Sequence, residues 1–189
     1  MPRLDRRIVA LVQRSDGDSI VYRIPMPWKC KICGVEHDEL PTCFGIDAPW
    51  RTLVPEAEFG RRVELSSDRC VIDGKVFFIR GHIEIPIHSH SESLAFSVWS
   101  SLSKDSFLRM SERWAAPDRA SDSAYFGWLS SPISVYPDTI HLKLSVQSRP
   151  PGMVPLFTVE PTSHPLAMDQ YNGITVERWH ELVHQLLHD

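Results

Sequence analysis

Asp73-Gly74 separates two runs of β-prone residues, Cys70-Val71-Ile72 and Lys75-Val76-Phe77-Phe78-Ile79-Arg80, and no other feature constrains the fold of this chain as tightly. An Asp-Gly pair tolerates the positive φ angles of a two-residue hairpin turn, so the runs are expected to pair as antiparallel strands. The second run continues through Arg80-Gly81-His82-Ile83-Glu84-Ile85-Pro86-Ile87 with polar and apolar residues alternating. That period points Ile83, Ile85 and Ile87 inward and Arg80, His82 and Glu84 outward. Pro86 lacks an N–H for a ladder and marks an edge or a strand end. Further strands are expected over 94–102, 139–146 and 154–159.

Two helices accompany the sheet. Ser103 is placed to cap a short mid-chain helix whose face carries Phe107, Met110, Ser111 and Trp114. Thr175 is placed to cap a C-terminal amphipathic helix, with Ile174 and Trp179 spaced for a hydrophobic staple. Its stripe of Val176, Trp179, Leu182, Val183, Leu186 and Leu187 needs a sheet to dock on. Repeats and low-complexity runs are absent, and the expected class is α+β with an antiparallel sheet. The segment around Pro41, Pro49 and Pro55 is expected to wrap the surface with little regular structure.

At 189 residues and 42% hydrophobic content, one domain of this size buries roughly 70% of its unfolded surface. A net charge of −4 offers no basic face for nucleic acid. No apolar run reaches the roughly 18 residues of a membrane span, and no signal-peptide pattern follows the basic N-terminus, so a cytoplasmic location is expected. At the N-terminus, 7–13 and 19–24 flank a loop with Asp16-Gly17 and read as a hairpin. The competing expectation is that Met26 is the natural start, making 1–25 an extension and 26–189 a single domain.

In a reducing compartment four cysteines read as metal ligands or buried thiols before disulfides. Cys30-Lys31-Ile32-Cys33-Gly34 is a zinc-knuckle-like turn: two intervening residues let both sulfurs face one Zn²⁺ at about 2.3 Å. C-x-x-C is also the spacing of a redox dithiol. His37 and Cys70 would complete a closed Cys₃His site, structural in kind because no position stays open for substrate. Cys43 is the spare, able to replace His37 or to serve as a small buried residue.

Other candidates weigh less. His180, His184 and His188 recur every four residues but drift off the apolar stripe, with no Glu placed as in H-E-x-x-H, and read as a solvated flank. His88 and His90 read as a polar loop. Trp99, Tyr125, Phe126 and Trp128 suit either core packing or an aromatic groove. No nucleophile elbow, P-loop or dinucleotide fingerprint occurs.

Trp28-Lys29-Cys30-x-x-Cys33-Gly34-x-x-His37, Leu40-Pro41, Phe44-Gly45, Ser67-Asp68-x-Cys70-Val71-Ile72, Phe78-Ile79-Arg80-Gly81 and Trp99-Ser100-Ser101-Leu102-Ser103 stand in an order that resembles a bacterial family, DUF2199. Tyr125-Phe126-Gly127-Trp128-Leu129, Glu160-Pro161-Thr162-x-His164-Pro165 and Gly173-Ile174 continue the resemblance. The family often carries Asp where this chain has Ser163, a departure that weakens the argument for an Asp-His pair here. The resemblance implies a bacterial protein and a shared fold, and it brings no activity. The function expected is a binding module, with a protein or small molecule as partner and zinc as a staple. The alternative is a hydrolase-like or other enzyme with a polar cleft around Arg80, Glu84, Glu160 and His164.

Overall fold

The computed structural model describes residues 28–29, 36–37 and 41–188. The expected hairpin over 7–24, the start at Met26, Cys30 and Cys33 lie outside the described residues. Two units divide the chain, Met1–Leu40 and Pro41–Asp189. In the first, β1 (Trp28–Lys29) pairs antiparallel with β2 (Glu36–His37), Trp28 opposite His37 and Lys29 opposite Glu36.

The second unit is built outward from the Asp-Gly hairpin. Asp73 and Gly74 take φ of 51° and 63°, the two left-handed positions of a type I′ turn. They join β5 (Arg69–Ile72) to β6 (Val76–Pro86), with Cys70 opposite Phe78. β6 then pairs along its length with β7 (Ser93–Leu102), from Phe77 opposite Leu102 to Pro86 opposite Ser93. Pro86 ends its strand, as its missing N–H requires. The far half of β7 pairs with β8 (Tyr125–Leu129), which leads antiparallel through β9 (Lys143–Gln147) to β10 (Leu156–Val159).

β10 returns to β6, Leu156 opposite His82, and closes β6 to β10 into a five-stranded barrel. Strands of an antiparallel meander alternate in direction, so the first and fifth must run parallel where they meet. The antiparallel sheet expected from the sequence is therefore mixed. A second parallel pairing adds β3 (Cys43–Gly45) to the near half of β7, and β4 (Val63–Leu65) extends the other edge beyond β5. The 41–55 segment thus contributes a strand and a 3₁₀ turn at Pro49–Thr52, more regular structure than expected.

Residues directly opposite each other share a face, and the inner face is apolar. Ile79, Ile83, Ile85, Leu94, Phe96, Val98, Leu129, Leu144, Val146 and Phe157 are all buried there. Each contributes about 1.5–3 kcal/mol through burial. Two glycines let the wall curve. A Cβ on Gly81 would strike the Phe157 ring and lie 2.7 Å from the Pro155 carbonyl, and one on Gly127 would strike Ser100 Oγ and lie 2.8 Å from the Ser101 carbonyl.

The outer face is covered only in part. The segment carrying Ala48, Trp50, Val54 and α1 (Phe59–Arg62) lays a second apolar cluster over Cys70, Ile72, Phe78 and Trp99. α2 (Lys104–Glu112) starts at Ser103, whose Oγ accepts the Ser106 N–H. α3 (Pro165–Asn172) packs on β6 and β10, and α4 (Val176–His188) buries Trp179, Leu182 and Val183. No helix among the described residues is long and apolar enough to cross a membrane.

Candidate functional site

The four polar residues of the expected cleft are each committed elsewhere. Arg80 donates from Nε and Nη2 to Asp68 Oδ1 at 3.2 and 2.8 Å, and Glu84 accepts from Arg149 Nη1 at 2.5 Å. Glu160 meets Lys143 at 3.3 Å. His164 Nδ1 accepts the Leu166 N–H at the start of α3, which assigns Nε2–H as the donor to the Pro137 carbonyl. None of the described cavities is lined by more than one of the four. His82, between Arg80 and Glu84, has its imidazole pulled below the ordinary range by burial and then by the Arg149 charge.

Among the described residues no three His, Cys, Asp or Glu side chains gather as metal ligands do. His37 is described as a backbone position in β2. Cys70 is buried among Val63, Ile72, Phe78 and Trp99, and burial pushes its thiol up to about 11. Cys43 is exposed. His180 lies half-buried beside Trp179, and burial lowers its affinity for a proton. His88 and His90 are anchored more firmly than a bare polar loop: His88 Nε2 lies 2.8 Å from the Asn172 carbonyl, and His90 packs 5.2 Å from Trp179.

The aromatic residues separate into two roles. Trp99 is core, while Phe126 and Trp128 project outward, 55% and 39% exposed, with their rings edge to face at 5.1 Å. Alternation explains this, because Gly127 and Leu129 take the inner face of β8. One cross-strand row runs Cys70, Phe78, Ser101, Trp128, Lys143. Its Cys70 and Phe78 end is covered by the second cluster, and its Trp128 end is open. The Phe126–Trp128 ridge stands between two depressions, one of about 470 Å³ over Val76, Phe78 and His141 and one of about 320 Å³ over Tyr125, Lys143, Glu160 and Tyr171.

A cleft of about 510 Å³ adjoins the first depression, sharing Phe78, Ser130 and His141 with it. Trp99 keys both of its walls. The indole N–H donates to the Ile46 carbonyl at 3.0 Å on one side. On the other, the Trp99 N–H reaches Ser131 Oγ at 2.8 Å and its carbonyl accepts the Ser130 N–H at 2.8 Å. His141 sits at the mouth with φ of 67°, held by its N–H to the Leu129 carbonyl at 2.8 Å. A non-glycine residue in that region costs about 1–3 kcal/mol, and such outliers concentrate at functional sites. Sequence reasoning missed His141 and Asp47. The Pro137-Asp138 pair was the available signal, since it starts a turn that shortens the expected 139–146 strand to Lys143–Gln147.

Residues 29–174 match the model of a family described as an uncharacterized protein conserved in bacteria, DUF2199. The chain belongs to this family. No curated protein and no solved structure matches it. The span matched to DUF2199 takes in the whole barrel, the ridge and the cleft, and ends at the residue before the Thr175 cap of α4. In this DUF2199 protein side chains fill the inside of the barrel, and its outer face is the one open to ligands.

Proposed function

We propose that this DUF2199 protein is a binding module whose working surface is the open outer face of β8 and β9, with a protein as the partner. The exposed Phe126–Trp128 pair carries the reading. Aromatic anchors dominate interface energies, at about 2 kcal/mol or more each, and here they stand on rigid strands with a depression on either side. The ion pair of Lys143 and Glu160 supplies a polar rim. Site-specific photo-crosslinkers at Phe126 and Trp128 should trap one discrete partner in cells, and one at Arg61, on α1, should not. Trp128→Ser should lose that partner while melting within a few degrees of the parent, because exposed positions change stability by only about 0.5 kcal/mol. Equal trapping at all three positions would end this reading.

Zinc as a staple belongs to the same proposal, with Cys30, Cys33 and His37 as ligands. The pairing of Lys29 with Glu36 supports it, since the segment carrying both cysteines then connects two paired strands. A zinc-bound thiol gives up its proton, and the apolar surroundings of Cys70 favour the protonated form. Purified protein should hold about one zinc per chain. Cys30→Ser and Cys33→Ser should lose it and Cys70→Ser should keep it, measured by metal analysis under reducing conditions. Protein without zinc when prepared free of chelators would remove the staple.

A further inference from the structure

We infer that the cleft between segment 46–53 and loop 130–141 binds a small apolar molecule carrying one protonated amine. Its volume of about 510 Å³ lies within the roughly 300–1,000 Å³ of small-molecule sites. Phe78 is part of its buried lining, while Leu53 and Ile140 keep apolar side chains 51% and 40% exposed. Both walls are tied to Trp99, and the second is braced again where Thr139 Oγ1 accepts the Ile133 N–H at 3.0 Å. A site held open in this way spends little ordering entropy on binding.

Charge selects the ligand class. Arg51 lines the cleft, but its guanidinium is met by Glu56 at 2.5 Å and lies 4.6 Å from the centre of the Trp50 ring. Asp47 lines it too, and among the described residues its carboxylate has no hydrogen bond or ion pair. Asp47 therefore adds an uncompensated carboxylate to a largely apolar lining, which attracts a cation attached to an apolar body. A bare divalent ion does not fit, because it needs about six oxygen ligands and the cleft is lined mainly by Ile46, Ala48, Pro49, Leu53, Pro132 and Ile140. An anion would meet Asp47 with no free arginine to offset it. The His141 ring at the mouth adds a group that can donate or accept a hydrogen bond.

The test uses the full chain and three probes of similar shape: 2-phenylethylamine, 2-phenylethanol and 3-phenylpropionate. Backbone amide shifts should move at Ile46, Asp47, Leu53, Ile140 and His141 on adding the amine. The amine should bind about fivefold more tightly than the alcohol, a ratio within reach of one partly exposed ion pair, and the carboxylate should bind weakest. Asp47→Asn, an exposed change, should bring the amine down to the level of the alcohol, and Ile140→Ser should weaken all three. Met168→Ser, an exposed change on α3, should leave the amine affinity unchanged. Affinities that ignore charge, an Asp47→Asn protein that binds the amine as before, shifts confined to other surfaces, or no shifts up to the solubility of the probes would each overturn the inference.

Discussion

Arg119, only 2% exposed, has no carboxylate partner among the described residues. Its guanidinium donates to the carbonyls of Trp114, Arg149, Pro150 and Met153 and lies 4.6 Å from the centre of the Trp114 ring. A buried cation is tolerated when hydrogen bonds replace its hydration, and here carbonyls from the 149–153 turn do so. Arg119→Met should cost about 1.5–3 kcal/mol in urea unfolding, because its carbonyl partners lose a charged donor. Arg119→Lys should recover only part of that, since an ammonium lacks the planar fork. A loss below about 1 kcal/mol would contradict the clamp. His82 gives a pH dependence. Burial first and Arg149 next depress its proton affinity, so below about pH 6.5, where an unfolded histidine titrates, the unfolded chain takes up a proton that the folded one resists. The stability this group contributes is present above that pH and falls as the pH drops through the depressed folded value. His180 is shifted in the same direction by its burial. The urea midpoint should drop between pH 7 and 5, and His82→Gln should flatten the slope. An unaltered slope would mean that His82 titrates alike in both states.

At the scale of elements, α3 is where the barrel seam is sealed. β10 meets β6 at one register pair, Leu156 with His82, and the rest of that edge is satisfied by side chains. Gln170 Oε1 accepts the Val159 N–H and its Nε2 donates to the Phe157 carbonyl, both at 2.8 Å, so one amide side chain imitates a neighbouring strand. Tyr171 donates its hydroxyl to the Val159 carbonyl at 3.0 Å, and Tyr136 donates to Asp169 at 2.8 Å. Gln170→Ala should destabilise the protein by about 1–3 kcal/mol, the cost of leaving buried backbone groups unpaired. Amide exchange should accelerate at Val159 ahead of the other barrel strands, and uniform acceleration would argue against a local seal. The sequence made some elements legible and hid this one. The β5–β6 hairpin, α2 and α4 announce themselves through turn residues, caps and period. α3 has eight residues, of which only Leu166 and Ala167 are buried, too short a window for a 3.6-residue period to register. β8 was hidden for the opposite reason, since its large side chains Phe126 and Trp128 face outward and Gly127 faces in.

At the scale of the whole molecule, barrel closure was not legible because it rests on contacts distant in sequence. Gly81 has to admit Phe157, Gly127 has to approach Ser100 and Ser101, and the fifth strand has to return parallel to the first. None of these leaves a local pattern, whereas alternation along β6 and β7 does. The site followed the same division. Phe126 and Trp128 were visible as aromatic candidates, while the cleft depends on Trp99 joining segments more than fifty positions apart, Ile46 to Trp99. The topology also makes a prediction about autonomy. Every barrel strand, both apolar clusters, the Arg119 clamp and the α3 seal lie within Pro41–Asp189. About 150 residues of this kind bury enough surface to fold as a domain, so a fragment of residues 41–189 should be soluble, melt in one cooperative transition and keep the amide shift pattern of the barrel. Substituting Gly81→Val in that fragment should abolish the transition, because a branched side chain cannot share its place with the Phe157 ring. An insoluble 41–189 fragment, or one that melts without cooperativity, would show that residues before Pro41 supply part of the stability that the barrel is credited with here.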